Sequence, residues 1–274
     1  MSREPWEAFE LPLGSLTGLR FIDSHVHLAD YEDPSQELAF ASTGGNLLVT
    51  AGVGFESSSR GQILSREHPS LVASFVGVHP SEAEKEGAPD WLPELLRDAS
   101  GVGEVGLDPK YSEVSRRSAQ VRLLDLQLGA AEKAGKPVQV HSRGAERECL
   151  DLLGSYSLKR VLLHWFQGEG ESAEALGRGY YVSFGPALLV SKKLQRISLS
   201  YDPDLVLVES DGPVPFAALD GAGGSWLIPS VVHRLAELWG SSFEDTSGRV
   251  LATSLRFLGQ KGRTPGQPGG VSKA

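Results

Sequence analysis

Short apolar runs alternate with longer amphipathic stretches along the whole chain. Several of the runs are nearly continuous in Val, Leu and Ile, which is typical of strands covered on both faces. The predicted strands span residues 19–25, 46–51, 71–78, 101–107, 137–141, 160–164, 180–184 and 205–209. Helical spacing is clearest over residues 118–134, where Leu124 and Leu128 share one face. Gly135 and Pro137 predict that this helix stops before the next strand starts.

The order of these elements predicts one α/β domain. Strands that alternate with helical patterns in this way favour a (β/α)₈ TIM barrel over a doubly wound sheet. The barrel is predicted to span residues 19–258, after an N-terminal extension over residues 1–18. Residues 259–274 are rich in Gly and Pro and otherwise polar, which predicts a disordered tail. Residues 219–225 (LDGAGGS) predict a loop near the active-site end of the barrel.

Composition narrows the possible partners. A chain of 274 residues with 40% hydrophobic and 22% charged residues is ordinary for a globular protein, and α/β barrels have about 250 residues. The net charge of −9 argues against an extended grip on duplex nucleic acid, because proteins that bind many phosphates carry a basic face. Two bound divalent cations would still supply about +4 locally.

The sequence carries no sign of secretion or membrane insertion. Its N-terminus mixes Arg, Glu and Pro and lacks the apolar core of a signal peptide, and no apolar run approaches the roughly eighteen residues of a membrane span. The single Cys149 excludes an intrachain disulfide framework and is expected to be a small buried residue on a helix. These features predict a cytoplasmic protein, and nothing in the sequence indicates an obligate protein partner.

The residues that are candidates for catalysis or metal binding lie where the predicted strands end. Five of the 7 histidines, one Glu and one Asp follow apolar runs in this way: His25, His27, His79, Glu104, His141, His164 and Asp211. Imidazole and carboxylate groups together are the ligands of a divalent metal ion that activates water. Their recurrence at one end of successive strands is typical of a barrel active site.

The first strand ends in a His-Val-His sequence. Side chains two residues apart in a strand point to the same side, so the imidazoles of His25 and His27 can reach one ion while Val26 packs the other way. Asp23 stands just before the pair and is expected to orient an imidazole.

Later strands supply further candidate ligands. His141 and His164 end the fifth and sixth strands. Asp211 follows a very apolar run, where an unpaired carboxylate is unfavourable, so a cation is its expected partner. Glu209, two residues earlier, faces the same side and is expected to hold the site in shape. Glu104 stands on the fourth strand, where several two-metal barrels carry a carboxylated lysine, and is expected to bridge two cations about 3.5–4 Å apart.

Two polar side chains are candidates for contact with a substrate. His79 precedes Pro80, which restricts it to extended backbone and fixes its direction. A metal ligand, a phosphate donor or a general acid are all open roles for His79, and we favour a contact with substrate. The guanidinium of Arg143 can donate two hydrogen bonds to a phosphate, or it can form a structural ion pair. His68 and His233 have no polar company and are expected to be ordinary surface or helix residues.

Six short segments resemble, in order, the motifs of the TatD family of metal-dependent deoxyribonucleases in the amidohydrolase superfamily: DSHVH, GVHP, GEVGLD, VHSR, HWFQG and ESDGP. The likeness covers residues 20–215. It implies a distorted TIM barrel with two divalent cations bridged by Glu104, and active-site roles for His79 and Glu209. The residues that match the ligands of one ion are His25, His27 and Asp211, and those that match the other are His141 and His164.

The resemblance implies hydrolysis of DNA phosphodiester bonds, with 3'-5' exonucleolytic action. The acidic charge and the lack of a basic track for a long duplex predict a preference for single-stranded or frayed ends. Asp211 is expected to accept the proton of the attacking water, while His79 and the cations stabilise the developing charge. Four histidines suit Zn²⁺ or Mn²⁺, and the carboxylates also allow Mg²⁺.

Two other functions fit part of the pattern. A related hydrolase of a small amide, lactone or phosphoester would need no basic path for a strand, which agrees with the acidic charge. The Arg/Asn-rich stretch common in the family after the last strand is replaced here by LDGAGGSWLIPS. An inactive metal-binding scaffold is hard to reconcile with a complete ligand set. An assay panel of single-stranded DNA, duplex DNA and small esters separates these functions.

Overall fold

The computed structural model describes residues 18–111, 117–216 and 221–260. Within them, eight parallel strands alternate with helices, and each strand pairs with the next one along the chain. The predicted (β/α)₈ TIM barrel is therefore confirmed. The described elements run from Ile22 to Leu258. The extension predicted over residues 1–18 and the tail predicted over residues 259–274 lie almost entirely outside the described residues.

The strands lie close to their predicted bounds. They are β1 (Ile22–Val26), β2 (Leu47–Thr50), β3 (Val72–Val76), β4 (Gly101–Gly106), β5 (Val138–His141), β6 (Val161–Leu163), β7 (Tyr181–Phe184) and β8 (Val206–Val208). An antiparallel pair, β9 (Pro215–Phe216) and β10 (Gly221–Ala222), follows them. The loop predicted over residues 219–225 thus contains the short strand β10 in its described part.

Ten α-helices connect these strands within the described residues. They are α1 (Ser35–Gly44), α2 (Phe55–Glu67), α3 (Ala83–Glu86), α4 (Leu92–Asp98), α5 (Arg117–Ala134), α6 (Glu146–Leu153), α7 (Ser172–Gly177), α8 (Lys192–Ser200), α9 (Ile228–Trp239) and α10 (Phe243–Leu258). The helix predicted over residues 118–134 is α5. None of the helices in the described part of the chain combines the length and apolarity needed to span a membrane.

The interior of the barrel is a packed core. Val49 of β2 and Leu162 of β6 belong to one buried cluster although their strands are not neighbours, so they meet across the interior. Ile22, the first residue of β1, belongs to the same cluster. So does Phe257 of α10, whose ring stacks on Phe75 of β3 with 6.0 Å between centroids. The last helix therefore closes the end of the barrel where the strands begin.

A second layer of core lies between the strands and the surrounding helices. Leu124 and Leu128 of α5 are fully buried there, which confirms the predicted helix face. Cys149 of α6 lies in the same layer, and burial raises the pKa of its thiol to about 12. The cysteine is thus a small buried residue on a helix, as predicted, and its protonated thiol is a poor nucleophile.

The barrel nearly closes between β8 and β1. The Asp211 N–H donates a hydrogen bond to the carbonyl oxygen of His25 at 3.0 Å, and the His27 N–H donates to that of Gly212 at 2.8 Å. These bonds join the segments that follow the last strand to the end of the first strand. Backbone hydrogen bonding therefore places the two ligand-bearing segments side by side.

Replacing Phe257 by Ala is expected to lower the free energy of unfolding by about 3–5 kcal/mol, because it deletes a fully buried ring and leaves a cavity beside Phe75. Leu199 of α8 is 57% exposed and provides the control, since Leu199→Ala should change stability by less than about 0.5 kcal/mol. Urea unfolding followed by circular dichroism measures both. Equal effects of the two substitutions would contradict the packing of α10 into the barrel.

Candidate metal centre

The ends of the strands bring the predicted ligands together at one end of the barrel. His25 and His27 come from the end of β1, Glu104 from β4, His141 from β5, His164 from the residue after β6 and Asp211 from the segment after β8. All are buried except His141, which is partly buried. Parallel strands present their carboxyl ends at the same edge, so residues far apart in sequence converge here.

Four donor atoms form a first group. The Nε2 atoms of His25 and His27 lie 3.3 Å apart. The Nε2 of His25 lies 3.6 Å from Glu104 Oε2 and 3.6 Å from Asp211 Oδ1, and the Nε2 of His27 lies 3.3 Å from each of these oxygens. Ligands at about 2.0–2.1 Å from a tetrahedral ion stand about 3.3–3.4 Å apart. The first group therefore has the dimensions of a metal site.

Glu104 faces a second group with its other oxygen. Its Oε1 lies 2.7 Å from His141 Nδ1 and 2.6 Å from His164 Nε2, and these two nitrogens lie 3.2 Å apart. The rings of His164 and His25 stack with 4.0 Å between centroids, so the two groups adjoin. The two oxygens of one carboxylate thus face two different histidine pairs, which is the arrangement of a ligand that bridges two cations.

The backbone of β4 is irregular at Glu104. Its register with β5 shifts between Val102 and Val105, and such irregularities redirect the side chain that they contain. Gly106 follows with φ 153°, and a Cβ there would lie 1.9 Å from the carbonyl oxygen of His141. Only glycine lets β4 approach β5 this closely, which is what places Glu104 beside His141.

Each of the four histidines in the two groups turns its second ring nitrogen toward an acceptor oxygen. The partners are Gln139 Oε1 for His25 at 3.1 Å, Asp30 Oδ2 for His27 at 4.0 Å, Asp108 Oδ2 for His141 at 2.8 Å and Glu209 Oε2 for His164 at 3.7 Å. The amide nitrogen of Gln139 donates to the carbonyl oxygen of Ser24 at 2.5 Å, which leaves Oε1 for His25. Outer partners of this kind leave the inward nitrogen free to bind a metal.

Three of these outer partners were not predicted from the sequence, namely Asp30, Asp108 and Gln139, although the last two left a signal. Gln139 is a polar residue inside an apolar strand, two positions before His141 and therefore on the same face. Asp108 follows the buried Leu107 directly, at the end of β4, and is itself 1% exposed. Polar residues other than histidine, within or just after buried strands, therefore also indicate members of the site.

The prediction that Asp23 orients an imidazole is wrong. Its Oδ1 accepts hydrogen bonds from the backbone N–H groups of His25 at 3.3 Å and Ser210 at 3.0 Å, and its Oδ2 accepts from Ser225 Oγ at 2.7 Å. The register between β1 and β2 shifts between Asp23 and Val26, so regular alternation does not hold there. Asp23 therefore fastens the backbone beneath the site.

His79 points toward the centre from the segment after β3. Its backbone is extended, with φ −65° and ψ 150°, as the following Pro80 predicts. Nδ1 accepts a hydrogen bond from the Ser81 N–H at 3.1 Å, so the ring proton belongs on Nε2, which lies 3.7 Å from Glu104 Oε1. Burial lowers the pKa of His79 to about 4, and the opposing charge of Glu104 only partly offsets this. A neutral ring with its N–H at the centre is suited to donate to a substrate oxygen.

Arg143 forms the ion pair that the sequence left as one of two possibilities. Its Nη2 lies 2.6 Å from Asp108 Oδ2, the oxygen that also faces His141. Its guanidinium carbon lies 5.4 Å from the ring centroid of Tyr111, and the side chain is 44% exposed. The ion pair therefore holds the guanidinium at the mouth of the site without removing it from solvent.

Glu209 lies beneath the centre and is fully buried. Its Oε1 accepts a hydrogen bond from the Trp165 N–H at 2.6 Å, and its Oε2 accepts one from Ser183 Oγ at 2.6 Å. Because Oε2 also faces His164, Glu209 contacts both this candidate metal ligand and Trp165, which follows it in the chain. These contacts agree with the expected role of holding the site in shape.

The charges at the centre fit a divalent cation. Burial alone would raise the pKa values of Glu104 and Asp211, but the neighbouring imidazoles hold both below their ordinary range. Burial would lower the pKa of His27, but hydrogen bonds with Asp211 and Glu104 raise it to about 10. Asp211 Oδ1 faces the inward Nε2 atoms of His27 at 3.3 Å and His25 at 3.6 Å, so its negative charge points at the same place as these two donors. Donor type, spacing and charge therefore all suit a bound metal ion.

Comparison with known proteins identifies related chains. The model of the TatD related DNase family matches residues 22–259. The chain is 26% identical to human deoxyribonuclease TATDN3 over 88% of this chain and 95% of that protein. It is also 26% identical to an uncharacterized metal-dependent hydrolase of Haemophilus influenzae, over 86% and 98% of the two chains. A 3'-5' ssDNA/RNA exonuclease TatD of Edwardsiella piscicida is 28% identical over 66% of this chain and 74% of its own length.

Solved structures share the fold. A TatD homologue of Escherichia coli K12 superimposes with a TM-score of 0.77 at 23% identity, over 86% of this chain and 97% of that one. A TatD-family hydrolase of Entamoeba histolytica gives a TM-score of 0.75 at 16% identity, over 88% and 98% of the two chains. At these identities the structural likeness supports the barrel architecture.

Proposed function

The chain belongs to the TatD related DNase family, and from that premise we propose that it hydrolyses DNA phosphodiester bonds at a centre of two divalent cations. The observation that carries the proposal is Glu104, whose two oxygens face two separate sets of donors. Relatives named as a deoxyribonuclease and as a 3'-5' exonuclease support DNA as the substrate, cleaved stepwise from a single-stranded or frayed 3' end.

We assign one cation to the first group of donors and the other to the second. The first would be held by His25, His27 and Asp211, the second by His141 and His164, and both by Glu104. When bound, such cations lower the pKa of water and neutralise phosphate charge. The mixture of imidazole and carboxylate donors suits Zn²⁺, Mn²⁺ or Mg²⁺.

The chain's own residues would orient the phosphate and move the proton. The Nε2–H of His79 would donate to a non-bridging phosphate oxygen, because Ser81 already occupies Nδ1. The exposed face of the Arg143 guanidinium would bind the same phosphate from the mouth of the site. Asp211, whose Oδ1 lies 3.3 Å from His27 Nε2, would accept the proton of the attacking water.

Two carboxylates would act by positioning these groups. Asp108 holds both His141 and Arg143, so it links a metal ligand to the residue that contacts substrate. Glu209 holds His164 and the backbone of Trp165. Partners of this kind commonly change metal affinity or activity by about 10- to 100-fold when they are replaced.

We propose that the protein acts in the cytoplasm and without an obligate protein partner. A single buried thiol at Cys149 fits a reducing compartment.

Time-resolved gels of end-labelled DNA test the proposal. With Mg²⁺ or Mn²⁺, single-stranded DNA should shorten stepwise from its 3' end, and blunt duplex should be cleaved more slowly. A grip on one or two phosphates predicts only about a 3- to 7-fold loss of affinity between 50 and 200 mM salt. Absence of cleavage with any cation, together with turnover of a small ester or amide, would assign the site to a small-molecule hydrolase instead.

A further inference from the structure

A pocket of about 250 Å³ opens beside the metal centre. His164 and Asp211, which belong to the candidate metal centre, form one side, and Trp165, Val214 and Pro215 supply its apolar walls. Arg143 lines this pocket and also the neighbouring one that contains His27 and His79. The pocket therefore adjoins the place where a phosphate would bind. The proposed hydrolysis uses some of its lining residues but not the cavity itself.

The backbone holds Trp165 in this pocket by an unusual conformation. Trp165 has φ 41°, which non-glycine residues seldom adopt and which persists only where the surroundings impose it. The bond from its N–H to Glu209 Oε1 at 2.6 Å supplies that constraint. His164 before it points to the centre and Phe166 after it is fully buried in the core. The turn thus directs one large aromatic side chain to the wall of the pocket.

The pocket suits a flat ring joined to a phosphate. An indole in a partly exposed wall offers a stacking face, and stacking on aromatic side chains binds nucleobases of any sequence. Arg143 pairs with Asp108 at 2.6 Å and lines both this pocket and the one that contains His27 and His79, so it can reach a phosphate next to the stacked base. Stacking needs no basic surface, which agrees with a net charge of −9.

Resting on the proposed function, we propose that this pocket binds one nucleobase beside the scissile bond, stacked on Trp165. The pocket lies just below the size range of ordinary small-molecule sites, about 300–1,000 Å³, so it has room for a single base. A base that is still paired would carry its partner with it and would not enter. Trp165 therefore selects strands whose end is unpaired. By holding the base, it positions the adjacent scissile phosphate at the candidate metal centre.

Trp165→Ala is the central variant of the test. It should raise KM for a single-stranded oligonucleotide by roughly 5- to 160-fold, the range for removing one stacked base, with a smaller change in kcat. Trp165→Phe keeps an aromatic ring and should restore most of the loss. Trp226→Ala is the matched control, because Trp226 is 47% exposed on the segment between β10 and α9 and lines neither pocket. It should leave both constants unchanged.

Abasic substrates separate stacking from a general structural effect. An oligonucleotide without a base at one of the two positions flanking the scissile bond should be a poorer substrate for the wild-type protein by a similar factor. Trp165→Ala should not distinguish it from the intact strand. If Trp165 only shielded the metal ligands, its loss would slow the intact and abasic strands equally, and the discrimination would persist.

Binding gives a readout that is independent of turnover. A phosphorothioate-linked oligothymidylate should quench tryptophan fluorescence in the wild-type protein. In Trp165→Phe the quenching should disappear although anisotropy of the labelled oligonucleotide still reports binding. If the wild-type protein cleaves DNA, and Trp165→Ala keeps the wild-type KM and still distinguishes abasic from intact strands, the stacking proposal is refuted while the proposed function stands. If the wild-type protein cleaves no DNA with any cation, the proposed function fails and this inference fails with it.

Discussion

A protein that carries His25→Ala and His27→Ala together is expected to lose at least one cation per chain and about 10³-fold or more in turnover. The substitutions remove two of the four donor atoms of the first group, whose spacing matches a tetrahedral site. They leave Glu104 Oε2 and Asp211 Oδ1 buried without the imidazoles of His25 and His27, which weakens the site further. Several kcal/mol of transition-state stabilisation come from such ions, and each 1.36 kcal/mol is a factor of ten.

Elemental analysis of the purified variant and the gel assay measure these two losses. The matched control is His68→Ala combined with His233→Ala, which removes the same number of imidazoles. His68 follows α2, and His233 lies on α9 with its ring 6.0 Å from that of Phe243, so neither belongs to the centre. Two cations per chain and undiminished turnover in the His25/His27 variant would show that the first group is not a metal site.

Glu104→Gln is expected to remove at least one cation and to lower turnover by about 10²-fold or more. Glutamine keeps the shape of the side chain but loses the charge that faces both histidine groups. Whichever way the amide turns, its NH₂ group faces one histidine pair and donates to nitrogens that would otherwise bind the ion. The substitution should therefore weaken one group because its ring nitrogens are occupied by hydrogen bonds, and both groups because the negative charge is lost.

Glu37→Gln provides the control for a buried glutamate outside the centre. Glu37 is 2% exposed on α1, and its Oε2 accepts a hydrogen bond from the Ser225 N–H at 2.8 Å. Both variants should keep the circular dichroism of the wild-type protein, while only Glu104→Gln should lose metal. Wild-type stoichiometry in folded Glu104→Gln protein would remove Glu104 from the proposed bridge.

The sequence was sufficient to predict the barrel and the convergence of the ligands, for a physical reason. Strands buried on both faces are nearly continuous apolar runs, so their number and order are visible without any structure. The polar residues that end them must then meet, because parallel strands have their carboxyl ends on the same side. His141 and His164 were found in this way, although 23 positions separate them.

Features that depend on contacts between distant residues could not be predicted. The irregularities at Glu104 and after Asp23 are shifts in register with neighbouring strands, and position next to the histidine pair gave the wrong partner for Asp23. The conformation of Trp165 depends on the hydrogen bond that its N–H donates to Glu209, 44 positions later. No local pattern reports such a bond, so the pocket beside the centre was not visible in the sequence.

Arg143 shows why the sequence left two alternatives open. Its ion pair depends on Asp108, 35 positions earlier (143 − 108), and its access to substrate depends on how much of the guanidinium that pair covers. The pair forms while the side chain stays 44% exposed. The two roles that seemed exclusive are therefore compatible.

The junction between β1 and β8 links the centre to the stability of the whole barrel. Ser24 Oγ donates to the carbonyl oxygen of Val208 across 184 positions of chain, and the proposed first cation would join the same two strands through His25, His27 and Asp211. Because the donors meet only in the folded barrel, occupancy would favour folding as the ion concentration rises. Chelation would then loosen the closure of the barrel as well as stop turnover, and folding and catalysis would depend on the same ion.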